Sequence, residues 1–282
     1  MNATLEYTPE TAAAPAVHSP LTVHTHGNPD NPAIVFLHGM SVSSWMWTEQ
    51  FAALKDSYYC IGIDLPGSGD SYRIGWVSFA QSAAQVADTI RQHVPDGKAH
   101  VVGLSLGGYV GMHLLAQHPE VVESLLVSGV TAQPMRRQWL YRPLTNVISL
   151  LSHWGPMISM NIRMMNLDEE AAAMYRRDSL RLPSGMMRRV MGELFGLRLP
   201  EALKTLSQPI LAVAGDQEAA MIRESLPLFA ALPTGTARMA PGGHHPWNAE
   251  FPDLFAGMIG AWVSGAPLPD GLVGLSAEDA PA

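Results

Sequence analysis

Apolar residues in this chain fall into short continuous runs, separated by longer stretches where they recur every three or four positions. Ala33 to His38 (AIVFLH) is one run, bounded by Pro32 and Gly39; Tyr58 to Asp64, Val101 to Leu104, Val121 to Ser128 and Pro209 to Ala214 are others. Runs of this length closed by turn residues predict buried strands. Leu21 to His26 alternates and predicts a short edge strand, and sheet rhythm returns near Ala237 to Ala240. Phe79 to Val94 has helical spacing through Ala83, Val86, Ala87 and Ile90. Residues 44–57 carry a weaker helical face, and Phe251 to Val263 predicts the last helix. Strands alternating with helices predict a mostly parallel sheet covered on both faces.

The rhythm breaks from Thr131 to about Thr205, where only helical segments are legible. This stretch holds 9 of the 16 methionines. With 11 basic against 6 acidic side chains it carries +5, while the remainder carries −13 of the overall −8. A shift of that size predicts a helical cap, 131–205, inserted into a core made of 21–130 and 206–264. Residues 1–20, rich in Ala, Pro and Thr, are expected to form a loose arm, and 265–282 a loose tail.

Composition narrows the class. At 47% hydrophobic and 15% charged residues the 282-residue chain is globular, with length enough for a substantial core. The negative balance argues against nucleic acid as a partner and against stable membrane association. The single cysteine, Cys60, excludes an internal disulfide and lies in an apolar run, as a buried strand residue would. Glu6 and Glu10 stand where a secretory leader needs basic residues, and no run of 18 apolar residues occurs. A cytoplasmic protein is expected, with monomer and homodimer both open.

The candidate chemistry centres on His100 to His118, HVVGLSLGGYVGMHLLAQH. A strand-like run stops at Ser105 and a helical pattern begins at once, giving Gly103-Leu104-Ser105-Leu106-Gly107 across the junction. G-x-S-x-G between strand and helix is the nucleophile elbow. Glycine removes the Cβ atoms that a turn this sharp would bring into collision, and the hydroxyl then sits at a helix N-terminus that favours negative charge. A serine nucleophile needs a base. Of the 11 histidines, His244 and His245 follow a late strand and precede the last helix, which places them at the carboxyl edge of the sheet with Ser105. The orienting acid is expected between serine and histidine, in Gly215-Asp216-Gln217-Glu218, where either carboxylate fits. Two backbone N–H groups would hold the oxyanion: Leu106, after the nucleophile, and Met40, in the loop after the first buried strand. His38 is expected to brace that loop.

These residues together resemble the α/β-hydrolase superfamily over residues 20–264. The resemblance is carried by His38-Gly39-Met40, the loop Asp64 to Ser71, Gly103 to Gly108, Gly215 to Glu218, and Pro241 to Asn248. It implies the α/β-hydrolase fold: a mostly parallel central sheet flanked by helices, with an inserted helical cap. The superfamily commonly places the acid three residues after the glycine, here Glu218, with Asp216 as the alternative. The ending His245-Pro246-Trp247-Asn248 is similar to a branch that uses Glu and includes N-acyl homoserine lactone hydrolases. That branch places its histidine two before Trp-Asn, which selects His245; His244 stands where the family has glycine.

The resemblance implies a Ser105–His245–Glu218 triad acting on a carboxylic ester or lactone without metal or cofactor. Serine in place of a carboxylate at the elbow argues against dehalogenase or epoxide hydrolase chemistry. Gly39, Trp139, Tyr141, Trp154 and Met160 are the expected substrate-binding positions, the cap residues lining an adaptable slot for an apolar acyl part. A ligand receptor on the same fold with little turnover, and a C–C bond hydrolase of diketones, are the rival readings.

Overall fold

A computed structural model describes residues 20–135, 138–165 and 167–275, excepting the side chains of residues 140, 141, 144 and 150. Residues 1–19 of the expected arm and the last seven residues of the expected tail lie outside that range. The chain opens with β1 (Val23–His26), β2 (Ala33–Leu37), α1 (Thr48–Leu54), β3 (Tyr59–Ile63) and α2 (Phe79–His93). It continues with β4 (Ala99–Leu104), α3 (Leu106–Gln117) and β5 (Val122–Ser128). Four helices then follow, with no strand among the described residues between them: α4 (Gln138–Leu151), α5 (Gly155–Met164), α6 (Glu169–Arg181) and α7 (Met186–Phe195). Sheet structure resumes with β6 (Ile210–Gly215), α8 (Ala220–Arg223), α9 (Leu226–Ala230) and β7 (Gly235–Ala240), before α10 (Trp247–Glu250) and α11 (Pro252–Ser264).

The seven strands lie in the order β1-β3-β2-β4-β5-β6-β7. Only β1 runs antiparallel, with Val23 opposite Ile63 on β3; every other pairing is parallel. Strand periodicity explains how each apolar run serves two cores. On β2, Val35 and Leu37 face a layer with α2 and α3, while Ile34 and Phe36 face α1 and α11. Both sets are wholly buried, each side chain contributing about 1.5–3 kcal/mol by leaving water. Parallel strands force their connections onto the faces, so the loops at the carboxyl ends of β2, β3, β4, β5 and β6 converge on one edge.

The helical insertion is seated on this framework. Leu182, Met186 and Val190 join the α2–α3 core, and Glu193 accepts from the Phe79 N–H at 3.0 Å and the Trp76 indole at 3.3 Å. The segment after α11, expected to be loose from residue 265, is tied down over part of its length. Val273 and Met239 exchange both backbone hydrogen bonds at 2.9 Å, which occupies the open edge of β7, and Leu272 is buried. No helix among the described residues is long and apolar enough to cross a membrane.

Candidate active site

Ser105 joins the end of β4 to the start of α3. Its backbone lies at φ 53° and ψ −114°, a region that costs energy for any residue with a Cβ. Close packing imposes this turn. A Cβ on Gly103 would fall 2.5 Å from the Gly107 carbonyl oxygen, and one on Gly107 would collide with the Leu37 carbonyl of β2. The Ser105 N–H donates to the Ser128 carbonyl at the end of β5, 2.9 Å away, fixing the turn laterally. Leu106 is the first helical residue, so its N–H has no acceptor within the helix.

His245 and Glu218 meet across the next two strand ends. Glu218 is buried, and its Oε1 accepts from the Gly215 N–H at 3.1 Å. Oε2 lies 2.8 Å from His245 Nδ1. A carboxylate only accepts, so Nδ1 carries a proton, and in the neutral ring the free lone pair is then on Nε2. The imidazole rests on Gly129, directly after β5: a Cβ there would stand 2.7 Å from His245 Cε1, and the backbone at φ +67° favours glycine in any case. Gly129 follows Ser128, whose carbonyl holds Ser105, so serine and histidine are referenced to the same two residues.

The alternatives that the residue pattern left open separate here. Asp216 Oδ1 accepts from the Gly242 N–H at 2.8 Å and serves the turn, not a histidine. His244 pairs with Glu250 at 3.0 Å and is 63% exposed. Trp247 and Asn248 wire the histidine loop to its surroundings: the Trp247 indole donates to Ser128 Oγ at 2.8 Å, and Asn248 Nδ2 to the Met46 carbonyl at 3.1 Å.

The loop after β2 completes the edge. A Cβ on Gly39 would stand 3.8 Å from Ser105 Cβ, which puts Gly39 beside the serine, with Met40 next in the chain. His38 is wholly buried, its Nε2 accepting the Leu65 N–H at 2.9 Å and its Nδ1–H donating to the Gly39 carbonyl at 2.7 Å. Burial lowers its pKa and keeps it neutral, as that pair of bonds requires. Ser41 takes φ 64°, a second strained non-glycine backbone.

Beneath this loop lies Asp64. Its carboxylate accepts from the Ser44 N–H at 2.9 Å, the Ser44 hydroxyl, the Asp70 N–H at 2.9 Å and His24 Nε2 at 3.2 Å. Burial alone would raise its pKa, but the bonds from His24 and Ser44 outweigh that and hold it well below the usual carboxylate range. His24, Asp64 and Asp70 offer ligand atoms within 4.8 Å of one another. The carboxylates are nonetheless engaged, Asp64 by the four donors above and Asp70 by Arg181 at 3.3 Å, so the group reads as a structural network and not a cation site.

Of the expected substrate-binding positions, Gly39 stands at the serine. Trp139, Trp154 and Met160 are 70%, 55% and 46% exposed on the insertion, Trp139 lining an open hollow with Met135, Gln138 and Arg142. The Tyr141 side chain lies outside the described residues. The apolar contact that the insertion makes with the serine edge comes from Ile158 and Tyr175, packed on Val42 with Trp45 and Met46. Sequence reasoning missed Ser128 and Gly129 as anchors of the serine and histidine, although Gly129 carried a signal, as a glycine directly after the strand neighbouring the elbow strand.

Comparison with known proteins agrees with this architecture. An AB hydrolase superfamily protein of Gibberella zeae is 27% identical over 86% of this chain and 84% of its own. A pimeloyl-[acyl-carrier protein] methyl ester esterase of Vibrio campbellii is 29% identical over 68% of this chain and 79% of its own. Among solved structures, the enol-lactonase of Burkholderia xenovorans LB400 superposes with a TM-score of 0.68 at 19% identity, over 86% of this chain and 96% of that one, a likeness of fold. Residues 32–247 match the family described as the alpha/beta hydrolase fold, and the chain belongs to that family.

Proposed function

We propose that the protein is a serine hydrolase of carboxylic esters or lactones. What supports this reading is a strained Ser105, anchored on Ser128, and a His245 that lies against the adjacent Gly129 with its Nδ1 held by the buried Glu218. In this mechanism His245 Nε2 takes the Ser105 hydroxyl proton as Oγ attacks the substrate carbonyl. Glu218 keeps the imidazole in the required tautomer and stabilises the imidazolium that forms. The tetrahedral oxyanion is met by the Leu106 and Met40 N–H groups. His245 then protonates the departing alkoxide. Water, activated by the same Nε2, releases the acyl group from Ser105.

The substrate favoured is a small ester or lactone with an apolar acyl part, N-acyl homoserine lactone first. That preference rests on the likeness of His245-Pro246-Trp247-Asn248 to the branch containing such lactonases. The test is hydrolysis of a short nitrophenyl ester and of short- and long-chain acyl homoserine lactones by the native protein and by Ser105→Ala. Turnover lost in the variant supports the serine mechanism, and lactone ring opening supports the narrower substrate. Turnover that survives Ser105→Ala contradicts the mechanism.

A further inference from the structure

Asp178 lies on α6, outside the sheet and far in sequence from Ser105, yet it is only 3% exposed. A buried carboxylate is stable only where donors replace its hydration. Asp178 has three. Oδ2 accepts from the Ser43 hydroxyl at 2.7 Å and the Trp45 indole at 2.8 Å, while Oδ1 accepts from Arg177 Nε at 2.8 Å. Two of the three come from the loop after β2, the loop that carries Met40.

The residue between them, Ser44, is held by Asp64 through its N–H and its hydroxyl. Three consecutive residues are therefore gripped alternately, by a carboxylate of the insertion and a carboxylate of the sheet. Just upstream, Ser41 holds its positive φ, and Val42 is buried against Ile158 and Tyr175 of the insertion. Strained backbone of this kind persists only where its surroundings over-determine it. The insertion already has other anchors, in Met186, Val190 and Glu193. The bonds to Asp178 are different in that they land on the segment next to Met40.

We propose that Asp178 is a positioning residue of the serine site: it couples the helical insertion to the loop that aims the Met40 N–H at the oxyanion. The proposal rests on the reading of Ser105 as nucleophile. It predicts a loss felt in the transition state more than in substrate binding.

The experiment measures kcat and KM on a nitrophenyl ester, together with the affinity of an alkylboronic acid that forms a tetrahedral adduct on the serine. It compares the native chain, Asp178→Ala, Asp178→Asn and Trp45→Phe, with Ser105→Ala as reference. Asp178→Ala is expected to lower kcat roughly 30-fold with KM nearly unchanged, and to weaken the boronate by a similar factor. Asp178→Asn, which keeps one acceptor oxygen for Ser43 and Trp45, is expected to recover most of both. Where Asp178→Ala does not fold, Trp45→Phe takes its place, with an expected fall of roughly 3-fold in kcat and boronate affinity. Unchanged kcat and boronate affinity in the folded variants, or a rise in KM alone, would overturn the proposal. Ester turnover surviving Ser105→Ala would instead overturn the serine reading, and this proposal with it.

Discussion

Glu218 has two donors to satisfy, the Gly215 N–H and His245 Nδ1, and one carboxylate oxygen for each. Glu218→Gln leaves one acceptor oxygen and adds an N–H₂ group. If the oxygen stays on Gly215, the amide faces Nδ1 and drives the imidazole to the wrong tautomer. The variant should fold normally and lose turnover by on the order of 10³-fold or more, measured as kcat on a simple ester. Asp216→Asn, by contrast, should leave turnover within a few fold, because that side chain serves the turn at Gly242. A second prediction at this scale concerns His24 and Asp64. The hydrogen bond to Asp64 raises the His24 pKa, so its contribution to stability is complete below the ordinary histidine value of about 6.5 and fades as pH rises through the raised one. The lowered Asp64 contributes above the ordinary carboxylate value of about 3.9 and fades only as pH falls through its depressed one. The pair is therefore most stabilising between those limits. Urea denaturation of His24→Ala and the native chain should differ more at pH 5.5 than at pH 9; an equal difference would contradict the assignment.

Among the elements, the elbow is the most demanding, because β4, α3 and β2 approach through glycines. Gly107→Ala would press a methyl group into the Leu37 carbonyl. Backbone cannot yield as a flexible side chain does, so the cost should be at least the ~1–3 kcal/mol of ordinary overpacking, read as a fall of several degrees in Tm. Elements of this kind were legible because their signals are local. The run Val101 to Leu104, the glycines about Ser105 and the spacing after it specify strand, turn and helix without reference to the rest of the chain. The single cysteine was legible for the same reason: Cys60 lies wholly buried on β3, and burial pushes its thiol pKa up to about 12, which leaves it inert. What the pattern did not resolve was which of two adjacent side chains faces inward. Asp216 and Glu218, like His244 and His245, are separated by loop geometry. That geometry depends on the Gly215–Gly243 contact and on Glu250, neither of which has a periodic signature.

Across the whole molecule, the serine edge is assembled from the ends of β2, β3, β4, β5, β6 and β7, and the insertion packs on its β2 loop. Sequence reasoning anticipated the sheet because parallel strands buried on both faces read as continuous apolar runs. Charge and methionine content set residues 131–205 apart in the sequence, but helical periodicity says which face is apolar and not what that face meets. Met186 turned out to be core, 1% exposed, while Met164 is 76% exposed; nothing in their spacing distinguishes them. The hydrogen bonds from Ser43 and Trp45 to Asp178 span more than 130 residues and have no local signature at all.

In the proposed mechanism Ser105 is the nucleophile, activated by His245 and Glu218. The most direct measurement is mass-spectrometric mapping of the site labelled by a fluorophosphonate, in the native chain and in His245→Ala. One label per chain is expected, on Ser105, with labelling slowed by orders of magnitude when His245 is removed. A label on another residue, or labelling of Ser105 at an unchanged rate without His245, would contradict it.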